Sequence, residues 1–180
     1  MSGAEILSVA AFLEGRYAQA FPSFGSERNG APVVAYCRID DRPIRTREPI
    51  VSPDALIIQD PTLLHQADIL SGAQPDAYVL INSVRSFDEL GLDAWRRAFR
   101  HERLLNVPAT DLAVRHTGRP VPNAVLLGGF AAISGVVSLD AVTIAIRERF
   151  SERVAQTNVA AASAAFDHVQ RELEELTVDA

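Results

Sequence analysis

Three short apolar runs constrain this chain more than anything else in it: Leu56-Ile57-Ile58, Tyr78-Val79-Leu80-Ile81 and Leu104-Leu105. None alternates with polar residues, so each must be covered on both faces. Each also stops at polar side chains: Gln59 and Asp60, Asn82 and Ser83, and Asn106 ahead of Val107-Pro108. Helix-like stretches separate the runs. Strands spaced by helices in this way make a parallel sheet with helices on both faces. The expected fold class is therefore α/β: a single Rossmann-like domain with a mostly parallel sheet, helices on both faces and a long C-terminal helix. Ligands and partners of such open sheets meet the carboxyl edge, where those polar residues gather. Ordinary capping and turn chemistry would account for each of them equally well.

The remaining elements fill in around that sheet. Gly3 to Gly15 reads as a helix, with Ile6, Leu7, Ala10, Phe12 and Leu13 near helical spacing. Asp60 is placed as the N-cap of a helix begun by Pro61, with Leu63, Leu64, Ala67 and Leu70 inward and Gly72 at its close. Asp88 to Arg97 is expected to be helical, setting Trp95 on the sheet. Thr110 is expected to cap a short helix that runs through Val114, ahead of Gly118. Asn123 to Gly135, NAVLLGGFAAISG, reads as a helix of small residues. Gly128 and Gly129 each cost about 1 kcal/mol relative to Ala inside a helix, so another backbone is expected to come close there. Ser138 caps a helix over Leu139 to Phe150, with Asp140 at its positive end and Arg147 and Arg149 at its negative end. Ser151 to Leu176 is a long helix whose Ala162, Phe166, Val169, Leu173 and Leu176 form one apolar stripe. No repeat, linker or low-complexity stretch interrupts the chain. One domain over 1–180 is expected, with 151–177 as a packing or interface helix.

Between the first helix and the sheet lies Tyr17 to Ile39, YAQAFPSFGSERNGAPVVAYCRI. Tyr17 to Phe21 alternates weakly, as a short strand does. Pro22-Ser23-Phe24-Gly25-Ser26 breaks it, and Glu27-Arg28-Asn29-Gly30 makes a charged turn. Ala31 to Ile39 resumes as a strand, with Pro32 tolerable only near its start. Ile44 to Ser52, among Pro43, Pro49 and Pro53, reads as an extended connection. Arg38, Arg42, Arg45 and Arg47 cluster beside the loop, and Asp40, Asp41 and Glu48 neutralise them in part. The cluster is either a solvated connector with surface ion pairs or a site for the phosphates of a nucleotide-like ligand.

Composition narrows the classes of function. A net charge of −6 without a long basic block argues against nucleic acid or an anionic membrane as the main partner. The longest uncharged run, Pro120 to Leu139, holds two prolines, adjacent glycines and Asn123, and does not suit a spanning helix. With neither a basic leader nor an A-x-A site at its start, the chain is expected to be soluble and cytoplasmic. Cys37 is the single cysteine. An iron–sulfur cluster needs about four thiolates, so this chain cannot hold one alone, and a mid-strand Cys37 is expected to be buried and inert. His65, His101, His116 and His168 show no metal-ligand spacing. No nucleophile elbow, P-loop or H-E-x-x-H motif is present. No catalytic residue and no metal ligand is assigned.

The Tyr17–Ile39 stretch resembles the gamma subunit, or gamma domain, of 2-oxoacid:acceptor oxidoreductases such as pyruvate:ferredoxin oxidoreductase. Members carry a segment close to YAQAFPSFGPERRGAPV; here Ser26 stands where Pro is usual and Asn29 where Arg is usual. Phe24, Arg28 and Gly30-Ala31-Pro32-Val33 look more like the pyruvate and bulky-oxoacid branch than the 2-oxoglutarate branch, which reads nearer SYGPEARGG. The resemblance continues through Asp41-Arg42-Pro43-Ile44-Arg45, Pro53-Asp54-Ala55-Leu56-Ile57 and Val121-Pro122-Asn123 with Leu126-Leu127-Gly128. Members begin with a strand and a glycine-rich turn of the GRGGQG type, an anion site of backbone N–H groups, directly before the first helix. Met1-Ser2-Gly3 stands in that place here; the element lies upstream or has been lost.

The resemblance implies an accessory role. Oxidative decarboxylation of a 2-oxoacid to acyl-CoA would proceed on thiamine diphosphate, with Mg2+, held by other subunits, the expected partners being of alpha, beta and delta type. Electrons would leave through iron–sulfur clusters held elsewhere in the complex, to ferredoxin or another acceptor. The gamma component would complete the assembly and help enclose coenzyme A. Matching positions place the family's loop on Ser23, Phe24, Gly25, Ser26, Glu27, Arg28, Asn29 and Gly30. Arg28 is expected to meet a phosphate or an interface carboxylate, Ser23 and Ser26 to donate hydroxyls, and Asn29 to make a polar contact. An indolepyruvate-type assembly and a free-standing nucleotide-binding module are the alternative readings.

Overall fold

In the computed structural model the structure describes residues 3–22, 33–65 and 69–178. Helix α1 (Gly3–Leu13) leads into an antiparallel pair, β1 (Tyr17–Pro22) and β2 (Ala35–Asp40). Then come β3 (Ala55–Ile58), a 3-10 turn over Pro61–His65, β4 (Tyr78–Asn82), α2 (Asp93–Ala98) and β5 (Leu104–Val107). Four helices finish the chain: α3 (Ala109–Thr117), α4 (Asn123–Ser134), α5 (Leu139–Arg149) and α6 (Glu152–Val178). The three unalternating runs form one parallel sheet in the order β3-β4-β5, as expected. Among the described residues the hairpin is a separate two-stranded sheet.

Successive residues of a strand point to opposite faces, and the sheet divides its side chains accordingly. Leu80, Leu105 and Val107 join a large core with α1, α3, α4, α5 and α6. Val79, Ile81 and Leu104 join a smaller one with Ile58, Leu64, Leu92 and Phe99, against which Trp95 packs. Central β4 is covered from both sides, which is why it reads as an unbroken apolar run. The hairpin rests on the larger core through Ala18, Cys37 and Ile39.

Gly128 of α4 meets the backbone approach expected of it, and it comes from α6 of the same chain, whereas Gly129 meets side chains only. A Cβ on Gly128 would stand 1.9 Å from the Ala162 carbonyl oxygen. A Cβ on Gly129 would lie 3.2 Å from Leu80 Cδ2, a contact that side-chain movement can relieve. Ala161, Ala162, Ala165 and Val169 of α6 are fully buried along this seam. Phe166, Leu173 and Leu176 continue the stripe against the same core.

Four local expectations change. Pro61 starts only a 3-10 turn, ending at His65, although Asp60 does bind its first turn; Ala67 lies outside the described residues. Asp88 to Arg97 is not one helix. Ser86 and Glu89 bond reciprocally, backbone N–H to side chain, as a capping box does, but Gly91 at φ +69° breaks the turn and α2 starts afresh at Asp93. Described strand β2 begins at Ala35 rather than Ala31. Thr110 does not cap α3, because the helix already includes Ala109. Ser138 does cap α5, its hydroxyl accepting from the Ala141 N–H at 3.1 Å.

Candidate ligand-binding site

Two regions collect the polar groups that the sequence singles out. The first is the carboxyl edge of the parallel sheet. Asn82, at the end of β4, is buried and fully engaged. Its Nδ2 donates to the Gln59 carbonyl and to Thr110 Oγ1, both at 2.8 Å, while its Oδ1 accepts from the Thr110 N–H at 3.1 Å. One side chain thus ties β3 to β4 and supplies the cap of α3 that Thr110 does not. Asp60 Oδ1 accepts from the Thr62 hydroxyl at 2.7 Å and the Thr62 N–H at 2.9 Å. Those two bonds, the hydroxyl's first, hold its carboxyl below the usual range. Asn106 Nδ2 donates to the Arg85 carbonyl at 2.7 Å, and Ser83 Oγ accepts from the Arg85 N–H at 3.0 Å. These groups serve caps and turns, except Asn106 Oδ1, which is buried without a hydrogen-bond partner among the described residues.

The second region is the hairpin. Ser23, Phe24, Gly25, Ser26, Arg28, Asn29 and Gly30, together with Glu27, lie outside the described residues. The strands that carry the loop are described. Directly opposed residues share a face, so Ala18, Cys37 and Ile39 turn to the core while Gln19, Phe21, Tyr36 and Arg38 share the other side. Burial pushes the Cys37 thiol up to about 12, as an inert mid-strand cysteine requires. On the opposite face the Phe21 and Tyr36 rings sit 5.2 Å apart, and the Arg38 guanidinium lies over Phe21 at 5.4 Å. Arg38 Nη1 and Gln19 Oε1 are buried and have no hydrogen-bond partner among the described residues.

The arginine cluster has a different charge balance from the one expected. Asp41 pairs with Arg16 at 3.0 Å, and Asp40 Oδ1 accepts from the Arg42 N–H at 3.0 Å. Among the described residues Arg38, Arg42, Arg45 and Arg47 make no ion pair.

A third feature escaped the sequence. Helices α3 and α6 border an open cleft of about 390 Å³, lined in part by Asp111, Arg115, His116, Asp167, His168 and Arg171. These residues come from helices distant in the chain; only the repeated spacing of Asp111 to Arg115 and Asp167 to Arg171 hinted at it. Among the described residues no group of three or more His, Cys, Asp or Glu could hold a metal ion. With one cysteine in the chain, an iron–sulfur cluster does not fit here. No described helix is long and apolar enough to cross a membrane.

The family model for pyruvate ferredoxin/flavodoxin oxidoreductase matches residues 1–168. The chain belongs to this family. The pyruvate/ketoisovalerate oxidoreductases common subunit gamma of Pyrococcus abyssi is 40% identical over 170 residues, 94% of this chain and 90% of that one. The pyruvate synthase subunit PorC of Methanothermobacter marburgensis is 38% identical over 170 residues, with the same coverage of 94% and 90%. Among solved structures, the pyruvate oxidoreductase subunit PORC of Thermotoga maritima superposes with a TM-score of 0.74 at 31% identity, over 92% of this chain and 86% of that one. The relatives are matched nearly end to end. The chain is thus a gamma subunit of this oxidoreductase family, and the α/β fold expected from the three apolar runs is the fold of its solved relative.

Proposed function

We propose that this chain is the accessory gamma subunit of a complex that oxidatively decarboxylates a 2-oxoacid of the pyruvate or branched-chain kind to acyl-CoA. The near end-to-end match to gamma subunits carries this reading. The poverty of catalytic groups agrees with it: Cys37 is buried in its neutral form, and Asn82 at the sheet's polar edge is engaged in a cap. Thiamine diphosphate, Mg2+ and the iron–sulfur clusters belong, on this reading, to alpha, beta and delta-type subunits, with ferredoxin as acceptor. The chain acts in the cytoplasm as one domain over 1–180, with 151–177 as its packing helix. Its own part is to complete the assembly and to present Ser23, Phe24, Gly25, Ser26, Arg28, Asn29 and Gly30 towards coenzyme A.

Purification from native cells tests the assignment. The expected product is a brown complex containing this chain and thiamine diphosphate; a colourless free monomer would sink it. Arg28→Ala in the assembled enzyme tests the loop. The KM for coenzyme A is expected to rise about tenfold, the worth of a charge-assisted bond, with the subunits still together. An unchanged KM in a dissociating complex would instead place Arg28 at a subunit interface.

A further inference from the structure

We propose that the outward side of α1, with Tyr17 beside it, is a docking surface for another subunit of the complex, one that offers an apolar hollow rimmed by lysine or arginine. The partner's identity as a subunit rests on the function proposed above; the docking surface does not.

Helix α1 is apolar on two sides. Of its eleven residues only Glu5 and Ser8 carry polar side chains. Gly3, Ile6, Leu7, Ala10 and Ala11 are buried. Phe12 and Leu13 fit the helical spacing of a core stripe, yet Phe12 is 72% exposed, Leu13 40% and Val9 36%. Residues three and four apart on a helix are surface neighbours, so Val9, Phe12 and Leu13 make one patch rather than three scattered side chains. Tyr17, 49% exposed, begins the strand on which α1 packs. The later helices meet water with charge: Arg96 and Arg97 on α2, Asp111 and Arg115 on α3, Arg147 and Glu148 on α5, Arg171 and Glu172 on α6 are all exposed. A helix that is apolar all round belongs between two bodies, and a contiguous apolar patch at the surface marks a place of contact. An aromatic centre within a polar rim is the anatomy of a protein interface.

The surroundings of the patch are acidic. Just past α1, Glu14 Oε1 accepts from the Ser138 N–H at 3.0 Å and Arg16 pairs with Asp41 at 3.0 Å. These contacts bring the start of α5 and the end of the hairpin up to the end of α1, and Asp40 lies opposite Tyr17 in the hairpin. Four exposed carboxylates, Glu14, Asp40, Asp41 and Asp140, thus gather there with two arginines, Arg16 and Arg42. Arg16 is taken up by Asp41 and the Val136 carbonyl. No basic residue stands in the last turn of α1, whose carbonyl end is itself negative. A second copy of the chain would set these carboxylates against themselves, and an anionic lipid surface would meet the same repulsion. Cations around an apolar hollow complement them.

The test uses the full chain, tagged at its C-terminus, produced together with the other subunits and followed by size-exclusion chromatography over a dilution series. Phe12→Glu is expected to weaken its hold on the complex about thirtyfold or more, the loss that one central aromatic anchor entails. Phe12→Ser, which adds no charge, is expected to weaken it about tenfold. Asp140→Lys, on α5, should weaken it about threefold at low salt, and the difference should shrink as salt rises. The melting temperature of the free chain should stay as in wild type, because the replaced side chains are exposed; if Phe12→Glu unfolds the chain, Phe12→Ser decides. A complex that holds both Phe12 variants as tightly as wild type overturns the surface. A wild-type chain that self-associates through Phe12 overturns the partner in favour of a second copy, and one that binds phosphatidylcholine vesicles through Phe12 does so in favour of a lipid surface. Asp140→Lys that binds as tightly as wild type at low salt overturns the basic rim. A wild-type chain recovered alone overturns the subunit reading itself, and this partner with it; that failure shows without any variant.

Discussion

The α4–α6 seam and the β1–β2 hairpin meet their obligations in opposite ways. At the seam everything is settled within the chain: Gly128 admits the Ala162 carbonyl, and buried alanines close the rest. On the outer face of the hairpin a buried donor and a buried acceptor lack partners among the described residues, and Arg38, Arg42, Arg45 and Arg47 make no ion pair among them. Interiors pack to crystal-like density and pair their polar groups. A region that does both is finished. A region that does neither is shaped for something outside itself, and in a subunit that is where contact is to be sought.

The largest expected effect lies at the seam. Gly128→Ala drives a methyl into backbone that cannot yield, and should destabilise the chain by about 3 kcal/mol or more, at or beyond the upper end of overpacking costs. Gly129→Ala, one residue along, meets only side-chain tips, Leu80 Cδ2 at 3.2 Å and Val169 Cγ2 at 3.4 Å, and gains about 1 kcal/mol of helix propensity, so it should be near neutral. Urea denaturation of the purified chain measures both, and equal effects would break the contrast. Asn82→Ala removes three hydrogen bonds and strands the Gln59 carbonyl and the Thr110 amide. It should cost about 2–3 kcal/mol, one buried group left unpaired being worth about 1–3.

The hairpin should behave otherwise. Arg38→Met removes a group with no bonded partner among the described residues and keeps an apolar stem, so stability should stay within about 1 kcal/mol of wild type, the size of the lost contact with Phe21. A loss of several kcal/mol would show that Arg38 serves the fold after all. The smallest effect concerns the inner face. The folded Cys37 thiol is raised from its ordinary 9.0 to about 12, so the folded chain holds this proton more tightly than the unfolded one. Its stabilising contribution is complete below pH 9.0 and is lost as pH rises towards about 12. A thiol reagent at pH 8 should label the native chain at least about tenfold more slowly than the denatured one, because thiolate is the reactive form.

Much of the architecture could be read from residues close together in the chain. The runs of β3, β4 and β5 declared a sheet covered on both sides, and the glycines of α4 declared a close neighbour. Long-range pairings could not be read in this way. Thr110 looks like a helix cap until Asn82, from another strand, is seen to supply the bond. The separation of the hairpin from the parallel sheet depends on which strand edges pair, and hydrophobic period does not encode that. The arginine cluster was visible at once, but its charge balance was not, because Asp41 turns to Arg16 from before the hairpin. For the loop itself, only the resemblance speaks: Ser23 to Gly30 lie beyond what the structure describes.

The closeness of Gly128 to Ala162 has a consequence for how the molecule is made. Synthesis proceeds from the N-terminus, so the sheet and α4 leave the ribosome before the residues of α6 that seal them. At about 5–20 residues per second, Leu80, Val107 and the glycine face of α4 stay uncovered for on the order of seconds. A nascent chain halted in that interval would expose the groove that α6 is shaped to fill. Chaperone demand during translation should therefore peak after α4 emerges and fall once Val169 has cleared the tunnel.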